Sequence, residues 1–325
     1  MRIGRRAWLA AALAVPWGAR AVALPGGAHA HAQPLLSLVV GSAPGRGADP
    51  SARAFAPFLE RHLRNVRVAV LNRPGAAGLA ALRLLAAADP DGSTLGWVAS
   101  PILPARLVDG DLPGTTPDLL ARLRLVAAVQ AQPLLLVTHP GTGPATLPDL
   151  LRRIATPWRS RESPGDPACQ PLATPPEGSA GHLAALQLQA REGTLLNIVA
   201  FPTAAAARHA VEAGHAAAAL LALGDVHESL ALATLATIPN PIAPPTILRG
   251  LALPATAPDS RAEALANALR GIAADPEFIA AGTESGFRPA FVPGPEWTAK
   301  MRAEHAALAQ LWRLTPWTPP PTLAG

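Results

Sequence analysis

The order of elements in residues 35–99 restricts the fold more than any other feature of this chain. Residues 35–40 form a nearly continuous apolar run, the pattern of a parallel strand buried on both faces. Residues 51–63 bring Ala54, Phe55, Phe58, Leu59 and His62 near one helical face. Residues 66–71 alternate and predict a second strand, and 76–88, rich in Ala and Leu, predict a second helix. Asp89-Pro90-Asp91-Gly92 is a turn, and 94–99 predict a third strand. Strands alternating with helices in this way build a doubly wound α/β sheet through crossover connections.

The same pattern returns further on. Residues 134–138 read as an apolar strand closed by His139-Pro140-Gly141, and 147–154 as a short helix with Thr146 as its cap. Residues 156–178 are polar and proline-rich and read as loops; Cys169 lies among them. Helix is expected at 179–192, strand at 195–200, and helix at 203–213 ended by Gly214. Residues 216–223 suit strand or helix equally. The prolines of 237–247 read as a boundary, followed by a short strand at 251–253 and helices at 260–274, 276–281 and 296–314. There is no internal repeat and no coiled-coil heptad pattern.

The first 32 residues do not belong to this pattern. They begin basic, carry an apolar run from Ala7 to Val15, and end Ala30-His31-Ala32, the layout of a cleaved secretory signal. Arg5-Arg6 followed by Ala7, Trp8 and Leu9 resembles a twin-arginine export signal. The run is too short to span a membrane. The signal holds four arginines and no acid, so cleavage takes the formal charge from +5 to +1. A nucleic-acid surface is therefore not expected. Cys169 is the only cysteine, which excludes an intrachain disulfide and leaves an exported protein dependent on its apolar core.

The first strand runs into GSAPGRGADPSAR at 41–53, a bare glycine-rich loop ahead of a helix. A P-loop would need a Lys after its last glycine, and a dinucleotide fingerprint would need a third glycine where Pro50 stands. Both fail. The remaining reading is an anion site made from backbone amides: glycines permit close approach, and the first turn of a helix carries unpaired N–H groups and partial positive charge. Asp49-Pro50 also reads as an N-cap with proline at the first helical position, worth about 1 kcal/mol. Arg46 reads as a solvated loop arginine or as a direct partner of a carboxylate.

Several stretches in order are similar to one family. They are APGRGADPSAR at 43–53, LNRPGAAGLAAL at 71–82, AAADPDGSTLGWVAS at 86–100, LLVTHPGTGPATLPDLL at 135–151, GSAGHLAALQL at 178–188, GLALPATAP at 250–258 and the segment from Asp275 onward. Together they resemble the extracytoplasmic solute receptors of tripartite tricarboxylate transporters, the Bug (Bordetella uptake gene) type. The resemblance implies a two-lobed type II periplasmic-binding-protein fold with a cleft between α/β lobes: lobe one at 33–137 plus 250–325, lobe two at 138–249. It implies a periplasmic monomer without enzymatic activity or cofactor, which captures a small carboxylate-bearing solute and hands it to membrane permease subunits. A sensor feeding a two-component kinase, or a divergent binder with an altered site, are the alternatives.

On the same resemblance, Ser42, Ala43, Gly45, Arg46, Gly47 and Asp49 form the ligand loop of lobe one. Gly178, Ser179 and His182 form its counterpart in lobe two, with Ser100, Thr138 and Thr203 as further ligand contacts. Ser179 doubles as a helix cap. Ser100 lies at the carboxyl end of a strand, where open α/β sheets bind ligands. One departure stands out: the family has Tyr-(Lys/Arg)-Gly where this chain has Phe201-Pro202-Thr203, and there is no tyrosine anywhere. Enzyme signatures are lacking: no G-x-S-x-G, no family signature around Cys169, and no histidine or carboxylate spacing suited to zinc.

Overall fold

A computed structural model describes residues 34–75, 78–109, 119–155, 170–227, 236–237 and 246–317. The expected export signal and Cys169 lie outside the described residues. In chain order the elements are β1 (Leu35–Val40), α1 (Asp49–Leu63), β2 (Arg67–Asn72), α2 (Leu79–Ala86), β3 (Thr94–Ser100), α3 (Ile102–Asp109) and β4 (Leu123–Thr138). Then come α4 (Leu147–Ile154), β5 (Leu172–Thr174), α5 (Ala180–Glu192), β6 (Ile198–Ala200), α6 (Ala204–Glu212), β7 (Ala218–Ala222), α7 (Leu223–His227) and β8 (Ala236–Thr237). The chain finishes with β9 (Thr246–Pro254), α8 (Asp259–Ala273), α9 (Pro276–Ser285), β10 (Arg288–Pro293) and α10 (Gly294–Leu314).

The strands follow the order β2-β1-β3-β9-β4-β7-β5-β6, with β8 and β10 also paired to β4. β1 is parallel to both β2 and β3, as the crossover pattern predicts, and β5 is parallel to both β6 and β7. β4 joins the two halves. Its first residues pair antiparallel with β9 as far as Pro133↔Thr246, and its last residues pair antiparallel with β7 from Leu134↔Ala222. The result is the expected two-lobed α/β fold.

Several elements differ from the sequence-based expectation: α3, β8 and β10 are not among the expected elements, and β9 begins at Thr246, ahead of 251. β4 begins at Leu123, well before the expected 134, and runs on through Gln130, Gln132 and Pro133, which break the apolar pattern. Both glutamines are buried within the strand. β5 lies inside the stretch read as loops; it has only three residues, too few for a periodic signal. The undecided 216–223 resolves into β7 and the start of α7.

The core beneath α1 is aromatic. Phe55 stacks on Trp97 with ring centroids 4.6 Å apart, and Phe278 meets both Phe55 and Phe58 edge-on. Each such side chain contributes about 2–3 kcal/mol by leaving water. Trp297 and Met301 of α10 are fully buried against α2, α3 and β4, so the C-terminal helix packs on the body, as its apolar face predicts. Leu308 and Leu311 of α10 extend the contact to Leu183 and Leu186 of α5. No described helix is long and apolar enough to cross a membrane.

Candidate functional site

A cavity of about 670 Å³ is lined by residues from both halves of the sheet. The β1–α1 loop and the start of α1 contribute Gly41, Ser42, Gly47, Ala48, Pro50 and Ser51. The β5–α5 connection and the start of α5 contribute Pro175, Ser179, Ala180 and Gly181. β4 and β9 supply Gln130, Gln132, Leu134, Ile247 and Arg249, while Leu85, Trp97, Ile102 and Leu103 form an apolar wall. The volume suits a small organic solute.

Two helix N-termini therefore meet the same space. At α1 the N-cap is Ala48, which makes no side-chain capping bond. The loop ahead of it turns through Arg46 N–H to Ala43 O and Asp49 N–H to Arg46 O, both 3.1 Å. The N–H groups of Gly47, Ala48 and Ser51 take no intramolecular partner among the described residues. At α5, Ser179 Oγ accepts the N–H of His182 at 3.2 Å, and Ser179 O accepts that of Leu183 at 2.9 Å. The N–H groups of Ala180 and Gly181 take no partner among the described residues. All five donors belong to residues that line the cavity. A helix start leaves its first amides unpaired; here two such starts share one cavity.

Asp49 does not cap α1 and does not line the cavity. It is 1% exposed, and its carboxylate folds back on the loop. Oδ2 accepts from Gly45 N–H at 2.7 Å and from Arg53 Nε at 2.9 Å; Oδ1 accepts from Asn72 Nδ2 at 2.7 Å. Asn72 Nδ2 also donates to Ser42 O at 2.9 Å. The hydrogen bond from Arg53, then those from Gly45 and Asn72, hold the Asp49 carboxyl down at about 2. The carboxylate thus ties the loop together. Arg46 and Gly45 are exposed, and neither they nor Ala43 line the cavity.

Of the twelve residues singled out from the sequence, Ser42, Gly47 and Ser179 line the cavity. Ser42 Oγ is buried there without a hydrogen-bond partner. Ser100 is fully buried and accepts a hydrogen bond from Trp297 Nε1 at 3.3 Å. Thr138 donates to Ala217 O at 2.9 Å, beside the pairing of β4 with β7. Gly178 N–H donates to His182 Nδ1 at 3.3 Å. Burial, then the charge of Arg106, push the His182 imidazole below its ordinary value. Thr203 caps α6 by accepting Ala206 N–H at 3.0 Å. Phe201 packs against the α6 core, so the departure at Phe201-Pro202-Thr203 lies away from the lining.

Sequence reasoning missed Gln130, Gln132, Trp97, Arg106, Asp225 and Arg249, all of which line the cavity. Arg106 on α3 reaches the β5–α5 connection, donating from Nη2 to Glu177 O at 3.2 Å. Arg249 Nη1 donates to Gln132 Oε1, and its Nε is buried without a partner. Burial pushes the Arg249 guanidinium down from its ordinary value, opposed by the charge of Asp225. A signal was present: polar residues at period two inside apolar strands cost free energy unless they face something polar.

No family model matches the sequence, and no curated relative matches it. Solved structures do. A TctC solute-binding protein from Polaromonas superposes with a TM-score of 0.68 at 21% identity, over 86% of this chain and 98% of that one. The fold is that of a periplasmic solute-binding protein. A Rhodopseudomonas palustris protein solved with adipate gives a TM-score of 0.65 at 18% identity, over 86% of this chain and 96% of that one. MatC from the same organism, with bound malate, gives 0.63 at 20% identity, over 85% and 98%.

Proposed function

We propose that this chain is an extracytoplasmic receptor that captures a small carboxylate-bearing solute for a tripartite tricarboxylate-type transporter. One observation carries the reading: five unpaired backbone N–H groups, from the loop entering α1 and the first turns of α1 and α5, belong to residues lining one cavity. Such a pair of helix starts binds an anion without a dedicated basic side chain. The adipate and malate in two proteins of the same fold fit this chemistry. Ser42, Gly47 and Ser179 are the proposed contacts from the sequence-derived set. Asp49 acts by shaping the loop.

The mechanism is capture by closure. On this reading the lobes divide near 137/138 and 249/250, close to where β4 changes partners between Pro133 and Leu134. With the lobes apart, each presents one helix start; an anion bridges them and the lobes close by hinge motion. The closed form is then what permease subunits meet. Residues 1–32 direct export to the periplasm, by the twin-arginine route if Arg5-Arg6 acts as read, and the mature chain works as a monomer without catalysis.

The test is a thermal-shift panel on the chain from Gln33 onward, using di- and tricarboxylates, monocarboxylates, amino acids and neutral amide analogues. A ligand at a hundred times its dissociation constant adds about 2.7 kcal/mol, a rise of roughly 5–10 °C for a chain near this size. Shifts confined to carboxylates are expected. Flat curves for every anion, from protein with a cooperative melt, would refute the proposal.

A further inference from the structure

We propose that Arg249 is the specificity-determining residue of this cavity, and that the solute it selects is anionic at both ends. One carboxylate sits at the helix starts of α1 and α5; the other pairs with the Arg249 guanidinium. This rests on the carboxylate reading above and adds to it a second pole.

The register places that pole. Val39 of β1 lies beside Gly96 of β3, and Ala99 of β3 lies opposite Arg249 of β9. Arg249 is therefore level with the start of the β1–α1 loop and two strand spacings from it, roughly 10 Å. Arg249 also lies opposite Gln130 of β4. Arg249 and Ile247 share one face of β9, as Gln130 and Gln132 share one face of β4, and all four line the cavity.

The guanidinium is prepared for an anion. Gln132 Oε1 accepts from Nη1, which orients the group and leaves the edge containing Nε, where the buried N–H has no partner. Guanidinium edges match carboxylates through two parallel hydrogen bonds. Arg249 lies in ILRGLAL, where an apolar residue would suit a strand between β3 and β4 at least as well. The charged side chains lining the cavity are Arg106, Asp225 and Arg249, a net charge of +1 that favours a second anionic group.

Calorimetry on the mature chain tests this with the diacids from succinate to adipate, each against the monocarboxylate of equal chain length. The wild-type chain should bind the best diacid at least about tenfold more tightly than its matched monoacid. Arg249→Gln should remove that preference, weakening the diacid about tenfold or more while changing the monoacid by less than about threefold. Arg249→Lys keeps the charge but loses the two-toothed edge, and should reduce the preference by about threefold. If Arg249→Gln lacks a cooperative melt, Arg249→Lys decides. Carboxylate binding without a diacid preference, or a preference that survives substitution, overturns the role of Arg249 and leaves the proposed function standing. No carboxylate binding by folded wild-type protein overturns both.

Discussion

Gly181 offers the sharpest test of whether the α5 helix start matters where it is. It lies in the first turn of α5, lines the cavity, and packs on β7. A Cβ built there falls far inside contact distance of Leu220 O and 2.9 Å from Pro175 Cδ. Leu220 O belongs to a central strand and Pro175 is buried, so neither can swing aside as a flexible side chain would. Gly181→Ala must lift the start of α5 off the sheet by on the order of 1 Å, an overpacking cost of about 1–3 kcal/mol. At about 2–4 °C per kcal/mol the melting point should fall by roughly 2–12 °C. The same displacement moves the Ala180 and Gly181 amides, so diacid affinity should drop about tenfold or more. Gly193→Ala is the control. Its φ is +62°, a Cβ there meets nothing, and it lies at the far end of α5, so it should cost about 1 kcal/mol of backbone strain and leave affinity unchanged. Differential scanning fluorimetry and titration calorimetry on both variants read the two quantities separately. Equal affinities in Gly181→Ala and Gly193→Ala would refute the view that the α5 start holds the ligand.

Glu304 of α10 is pushed up to about 7 by burial, against the pull of its hydrogen bond to Ser100 and the charge of Lys300. In this chain the folded state holds that proton where the unfolded state has released it. Stability should therefore fall as pH rises from about 4.5 to 7, by at most about 3 kcal/mol and nearer half that given partial exposure; Glu304→Gln should remove this slope in pH-dependent melts. Asp49 acts in the opposite sense: its lowered carboxyl stabilises the fold above about 4 and loses that contribution as pH falls through about 2, so Asp49→Asn should flatten the acid arm of the stability curve and weaken anion binding. Ser179→Ala removes the α5 cap, costing about 1 kcal/mol, or roughly 2–4 °C in melting point, while Ser179→Gly should cost less.

Much of the fold was legible because strand and helix signals alternate cleanly where strands are buried on both faces. The runs at 35–40 and 94–99 and the helices at 147–154 and 260–274 were read to within a residue or two. The site was only partly legible. A glycine loop ahead of a helix carries a local signature, so Ser42, Gly47 and Ser179, which line the cavity, could be singled out. Arg249, Gln130 and Gln132 carry only the signal of polar residues inside apolar runs; that they share one place follows from the pairing of β9 with β4. Pro133 lies inside β4 although proline removes a ladder donor. Here it stands at the last β9 pair, one residue before β4 takes β7 as its new partner.

Asp49 poses a question that the site's chemistry answers. A carboxylate in the first turn of α1 would seem to compete with any anion for the same partial positive charge. Its position resolves the conflict. Arg53, one turn along the same helix, pairs with it directly at 2.9 Å and cancels its charge locally. Its other hydrogen bonds come from Gly45 N–H and Asn72 Nδ2, neither of which lines the cavity. The carboxylate thus leaves unpaired the cavity-lining amides of Gly47, Ala48 and Ser51 that the proposed ligand would use. Asn72, held in turn by Arg53 Nη2 at 2.8 Å, carries the same restraint to Ser42 O. A neutral loop would keep its glycine freedom and lose it only on binding, at the expense of affinity. In this arrangement a buried acid, its charge met by Arg53, sets the geometry of the proposed anion site before any anion arrives.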